Sequence, residues 1–163
     1  PLKSNGMVKD GRVHVFGFSR GGIMGILTAI EMKAAAASFV SWGGVSDMVM
    51  TYRERKDLRR MMKRVIGGTP EKVPEAYEWR KPFDELEKIE APVLLIHGAN
   101  DENVSIEHAR RLERELLRRN KSVDTWYFSQ YTHYFPPREN RRIVRELSQW
   151  MKSRPWTSYG KLK

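Results

Sequence analysis

Three side-chain types that can act together on an acyl group occur in three separate stretches. They are the serine of Gly17-Phe18-Ser19-Arg20-Gly21-Gly22, the aspartate of His97-Gly98-Ala99-Asn100-Asp101 and the histidine of Tyr131-Thr132-His133-Tyr134. A serine hydroxyl is a weak nucleophile until a neighbouring base takes its proton, and the base works best when an acid holds its tautomer. Gly-x-Ser-x-Gly between a strand and a helix forms a sharp elbow that lifts the serine clear of the sheet. Gly17 and Gly21 let strand and helix approach, and Gly22 extends the small-residue run. The backbone N–H of Arg20 would then face a developing oxyanion, helped by the positive end of the following helix. A glycine-rich turn that only packs would carry the same motif, so the surrounding elements decide.

Those elements alternate. Val13-His14-Val15-Phe16 is a short β-branched and aromatic run leading into the elbow. Ile23, Ile26, Leu27 and Ile30 follow at helical spacing. Ser38 to Trp42 reads as a second strand, stopped by Gly43-Gly44. Pro92 to His97 is a continuous apolar run, as expected of a strand covered on both faces. Ser122 to Ser129 reads as a fourth strand. Ser105 is a candidate N-cap for a helix with Ile106, Ala109, Leu112 and Leu116 on one face. Pro136-Pro137 can open a last helix whose inward face is Ile143, Val144, Leu147, Trp150 and Met151. Between Asp47 and Lys88 lie two or three short charged helices, broken at Gly67-Gly68-Thr69-Pro70. This is an α/β pattern of about four parallel strands with helices on both faces. In such sheets functional groups gather beyond the carboxyl ends of the strands, where Ser19, Asp101 and His133 all fall.

Each candidate has competitors. Glu102 is the reserve for Asp101, and either could instead cap the helix near Ser105. The loop lacks the spacing and glycine of a calcium-binding EF-hand. Among the other histidines, His14 reads as a packed core or edge residue within a strand. His97 reads as structural, and His108 as solvated on its helix.

Composition bounds the rest. The 163 residues suit one compact domain. There are no cysteines, which removes disulfides, thiolate zinc sites and cysteine nucleophiles. No metal or other cofactor is implied. No apolar run approaches a membrane span, and no signal peptide is visible, so a cytoplasmic location is expected. The net charge of +10 raises a nucleic-acid reading. The densest stretch, Arg53 to Arg64, mixes in Glu54 and Asp57 and has no interleaved aromatics for base stacking. Pairs such as Glu107–Arg111 and Glu115–Arg119 suit solvated helix faces. The expected partner is a peptide or acyl substrate, not nucleic acid or membrane.

The chain order Ser19, Asp101, His133 is that of the α/β-hydrolase triad. On these residues the sequence resembles the α/β-hydrolase superfamily and, more narrowly, the catalytic domain of the prolyl oligopeptidase family of serine peptidases. The stretches that carry the resemblance are Val13 to Gly22, Trp42-Gly43-Gly44-Val45-Ser46-Asp47, Ala91 to Gly98, Asp101-Glu102-Asn103-Val104 and His133. It covers roughly residues 8 to 152, leaving 153–163 as a tail. It implies a serine hydrolase acting on peptides through an acyl-enzyme. Ser19 would be the nucleophile, His133 the base, Asp101 its orienting acid and the Arg20 N–H an oxyanion donor. A carboxylesterase, or a non-catalytic binding module on the same fold, are the alternatives. Tyr134 stands where relatives often have glycine, Tyr131-Thr132 where a Glu-Gly pair is common, and Arg80-Lys81-Pro82 where Ser-Pro is frequent. The full fold has four strands before the one that leads into the elbow, and the loop carrying a second oxyanion donor is among them. The resemblance therefore implies the C-terminal half of the fold, weak or inactive by itself, needing a missing N-terminal half or associating as a homo-oligomer.

Overall fold

A computed structural model describes residue 8 and residues 11–153; most of the expected tail lies outside the described residues. Four strands form one parallel sheet in the order β1-β2-β3-β4: β1 (Val13–Phe18), β2 (Ala36–Trp42), β3 (Val93–Gly98) and β4 (Val123–Phe128). β3 is buried along its whole length, as its unbroken apolar sequence requires of a central strand. β1 alternates: Val15 and Gly17 face the core, while His14, Phe16 and Phe18 face outward. Among the described residues, no strand pairs with the outer edge of β1.

Strands added in sequence by right-handed crossovers place their connecting helices on one face. That face carries α1 (Gly21–Met32) and α5 (Glu107–Arg118). Ile26, Ala29 and Ile30 of α1 and Leu112 and Leu116 of α5 pack on Val15, Phe39, Val93 and Leu95. The other face belongs to α6 (Pro137–Lys152), whose Ile143, Leu147 and Trp150 cover Val40, Trp42, Leu94 and Ile96. Neighbours such as Phe39 and Val40 thus serve opposite cores, the period of two that a pleated strand imposes. Each fully buried Ile or Leu contributes roughly 1.5–3 kcal/mol. The Trp150 indole also donates to Asp124 Oδ2 at 2.7 Å, tying α6 to β4.

Between β2 and β3 run α2 (Met48–Glu54), α3 (Arg59–Ile66), α4 (Pro74–Glu78) and a 3-10 segment, Pro82–Lys88, whose Phe83 and Leu86 join the first core. Asp47 starts this region. Its Oδ1 accepts from Val49 and Met50 N–H at 2.8 and 3.1 Å, an N-cap, and its Oδ2 accepts from Arg111 at 2.8 Å. Among the described residues, no helix is long and apolar enough to cross a membrane.

Several expectations need correction. Val144 is 49% exposed rather than inward: the core that α6 covers is built on β2, β3 and β4 and takes in neither Val144 nor a β1 residue. Arg111 pairs with Asp47 rather than Glu107, which binds Arg110 instead at 2.9 Å, whereas Glu115–Arg119 forms at 2.7 Å. Ser105 precedes the helix by one residue more than a strict N-cap, yet its hydroxyl still accepts from Glu107 N–H at 3.2 Å.

His108 is buried, not solvated, at 1% exposure. Its Nδ1 accepts from Ser46 N–H at 3.2 Å, so the proton sits on Nε2, 3.5 Å from Glu54 Oε2. Burial pushes its pKa down to about 4. The unfolded chain takes up this proton near pH 6.5 and the folded chain only near 4. Stability is therefore expected to fall as pH drops through that window, by up to roughly 3 kcal/mol. Urea unfolding at stepped pH checks this: His108→Gln should flatten the slope between those limits.

Candidate active site

Ser19 lies in the tight turn from β1 to α1, with φ 53°. A serine held in the left-handed region costs on the order of 1 kcal/mol or more, and persists where neighbours over-determine it. Here the Ser19 N–H donates to Trp42 O at 3.1 Å, and its carbonyl accepts from Gly22 and Val45 N–H, each at 2.9 Å. The glycines divide the work unevenly. A Cβ on Gly17 would meet Gly21 backbone, with the carbonyl carbon 2.9 Å away, and one on Gly22 would lie 2.6 Å from Val45 O. A Cβ on Gly21 would meet nothing within 4 Å, so close approach does not explain that glycine. Arg20 is the N-cap of α1. Its N–H is one of those a helix start leaves without an intrahelical acceptor.

His133 stands in the loop between β4 and α6, almost wholly buried. Its Nε2 is 3.0 Å from Ser19 Oγ and its Nδ1 is 2.7 Å from Asp101 Oδ2. Phe18 and Tyr134 flank the ring, with centroids 5.0 and 4.9 Å away. Tyr134 is 73% exposed. Tyr131 packs on Phe128 and Phe135 instead of reaching the site.

Asp101 follows β3. Its Oδ1 accepts from Asn103 and Val104 N–H, both at 2.9 Å, so it also serves its own loop. Burial pushes its carboxyl up, but bonds from His97, the Val104 N–H and His133 more than offset this and hold it below the usual value. Glu102 is exposed and Asp101 alone of the two reaches His133. His97 has a role that its sequence position did not reveal. It is fully buried, with Nε2 3.3 Å from Asp101 Oδ2. Its place four residues before the acid was the only signal available.

The loops carrying acid and base are stitched together. Ala99 N–H donates to Phe128 O at 2.8 Å and Asn100 N–H to Tyr131 O at 3.0 Å. Gly98 permits this: a Cβ there would meet the carbonyls of Tyr131 and Thr132, the latter at 2.6 Å. Gly98→Ala is expected to cost about 1–3 kcal/mol and to push His133 off the serine. Thermal unfolding and a crystal structure of the variant check both effects.

A contiguous hydroxyl–imidazole–carboxylate line, at a helix start and beyond the carboxyl ends of parallel strands, can shuttle one proton between nucleophile and leaving group. The chain is 69% identical over 153 residues to an uncharacterized peptidase, YtmA, of Bacillus subtilis (strain 168), aligning 94% of this chain. It spans 60% of that relative's length. In fold it is similar to the Pyrococcus horikoshii acylaminoacyl peptidase (TM-score 0.77, 18% identity, 93% of this chain and 25% of that one). It is also similar to the Porphyromonas gingivalis dipeptidyl peptidase 4 (TM-score 0.79, 15% identity, 94% and 21%). A Mycobacterium tuberculosis puromycin-hydrolyzing peptidase gives a TM-score of 0.78 at 22% identity over 95% and 24%. The model of the prolyl oligopeptidase family matches residues 1–154, and the chain belongs to that family.

Proposed function

We propose that this chain carries the catalytic machinery of a serine peptidase that cleaves short peptides through an acyl-enzyme. The observation that carries the reading is the unbroken line from Ser19 Oγ to His133 Nε2 at 3.0 Å and from His133 Nδ1 to Asp101 Oδ2 at 2.7 Å. The family's name and the peptidase names of its relatives favour an amide substrate.

Ser19 Oγ attacks the substrate carbonyl carbon while His133 Nε2 takes the hydroxyl proton. Asp101 holds the imidazolium that results, and the Arg20 N–H donates to the oxyanion. Collapse of the tetrahedral intermediate breaks the carbon–nitrogen bond, and His133 passes its proton to the departing amine. Water then repeats the sequence, His133 taking its proton, and releases the acid with Ser19 restored. The depressed Asp101 carboxyl stays ionised throughout, as this role needs.

A fluorophosphonate probe on the intact protein tests the reading. Mass spectrometry should find the adduct on Ser19. Turnover of a peptide anilide at a rate comparable with a short acyl ester supports a peptidase. Ester turnover alone would assign a carboxylesterase, and no adduct would leave a non-catalytic binding module.

A further inference from the structure

Most buried histidines satisfy both ring nitrogens, or give way to an aliphatic side chain of similar volume. His97 does neither. Its Nδ1 is buried without a hydrogen-bond partner among the described residues. Its Nε2 lies 2.9 Å from Val104 O and 3.3 Å from Asp101 Oδ2. Both neighbours are acceptors only, so Nε2 must carry the proton and share it between them. The imidazole is thus kept for what one nitrogen donates.

With that donor counted, the Asp101 carboxylate is saturated. Oδ1 takes two backbone N–H groups, and Oδ2 takes His133 and His97. An ionised carboxylate has about four lone-pair sites, and here all are filled. The two histidines approach the same oxygen from different elements, His97 from the end of β3 and His133 from the loop before α6. Moving Oδ2 towards one imidazole stretches its bond to the other. We infer that His97 is a positioning residue of the proposed triad: its Nε2–H fixes Oδ2 of Asp101 on the line to His133 and tempers the carboxylate's pull on that ring.

This rests on the peptidase reading. Among the bonds that hold the Asp101 carboxyl low, the one from His97 is the largest. Among the described residues, Asp101 is also sensed by Arg55, whose guanidinium donates to Asn103 O at 2.8 Å, and by the buried His108.

Two variants of the intact protein test it. His97→Leu keeps an apolar core and removes the donor. His97→Gln offers an amide N–H at similar reach. Loss of a hydrogen bond to a charged group corresponds to about 10- to 100-fold. His97→Leu should lower kcat by that factor with KM unchanged, and slow fluorophosphonate labelling of Ser19 equally. It should also move the acid limb of kcat/KM to higher pH, because a carboxylate relieved of one donor grips the protonated ring more tightly. His97→Gln should recover most of the rate and return the limb. A variant that melts earlier yet keeps the wild-type labelling rate and limb would reduce His97 to packing and overturn the inference, leaving the peptidase reading intact. Wild-type protein that never labels at Ser19 would overturn both.

Discussion

Replacing His133 with alanine is expected to lower kcat by on the order of 10⁶, Ser19→Ala to do the same, and the double variant to fall no further. The geometry gives the reason. Ser19 Oγ has its base 3.0 Å away at His133 Nε2. Without the imidazole the hydroxyl keeps its proton, and without the hydroxyl the imidazole has nothing to activate. What survives is the rate supplied by substrate positioning and the Arg20 N–H. Single-turnover kinetics of the three variants checks this; additive losses would show that the two residues do not act as one unit.

Asp101→Asn is the second large effect, with kcat lower by on the order of 10⁴. Oδ1 accepts two backbone N–H groups, so the amide oxygen of an asparagine must stay on that side. Its NH₂ then faces the donors His133 Nδ1–H and His97 Nε2–H. His133 can relieve the clash only by moving its proton to Nε2, which turns a base aimed at Ser19 into a donor. His97 cannot relieve it without losing its bond to Val104 O. Both kcat and stability should fall, and the rate of phosphonylation of Ser19 reads the first directly.

Much of this site was legible because each of its three side chains follows a strand. A Gly-x-Ser-x-Gly after Val-His-Val-Phe leaves the chain little choice but a turn into a helix. His133 emerged because the other histidines had evident places inside elements. What sequence periodicity could not show came from partners distant in the chain. The helical stripe through Ala109 and Leu112 says nothing of the loop around Ser46 that buries His108 from the other side. Arg111 had a suitable glutamate one turn away, yet Asp47, 64 residues off, holds it. Val144 sits beside Ile143, but no β1 residue joins the core that α6 covers, and Val144 and Phe16 are each 49% exposed. His97 was readable as the end of a strand, not as a donor, because that depends on how the next loop folds back.

The monotonic strand order has a bearing on synthesis. Each strand joins the edge just completed, so the sheet can lengthen while the chain is still leaving the ribosome. Ser19 leaves the ribosome 114 residues ahead of His133. If the two act as proposed, a nascent chain displaying the elbow lacks its base until the loop after β4 docks.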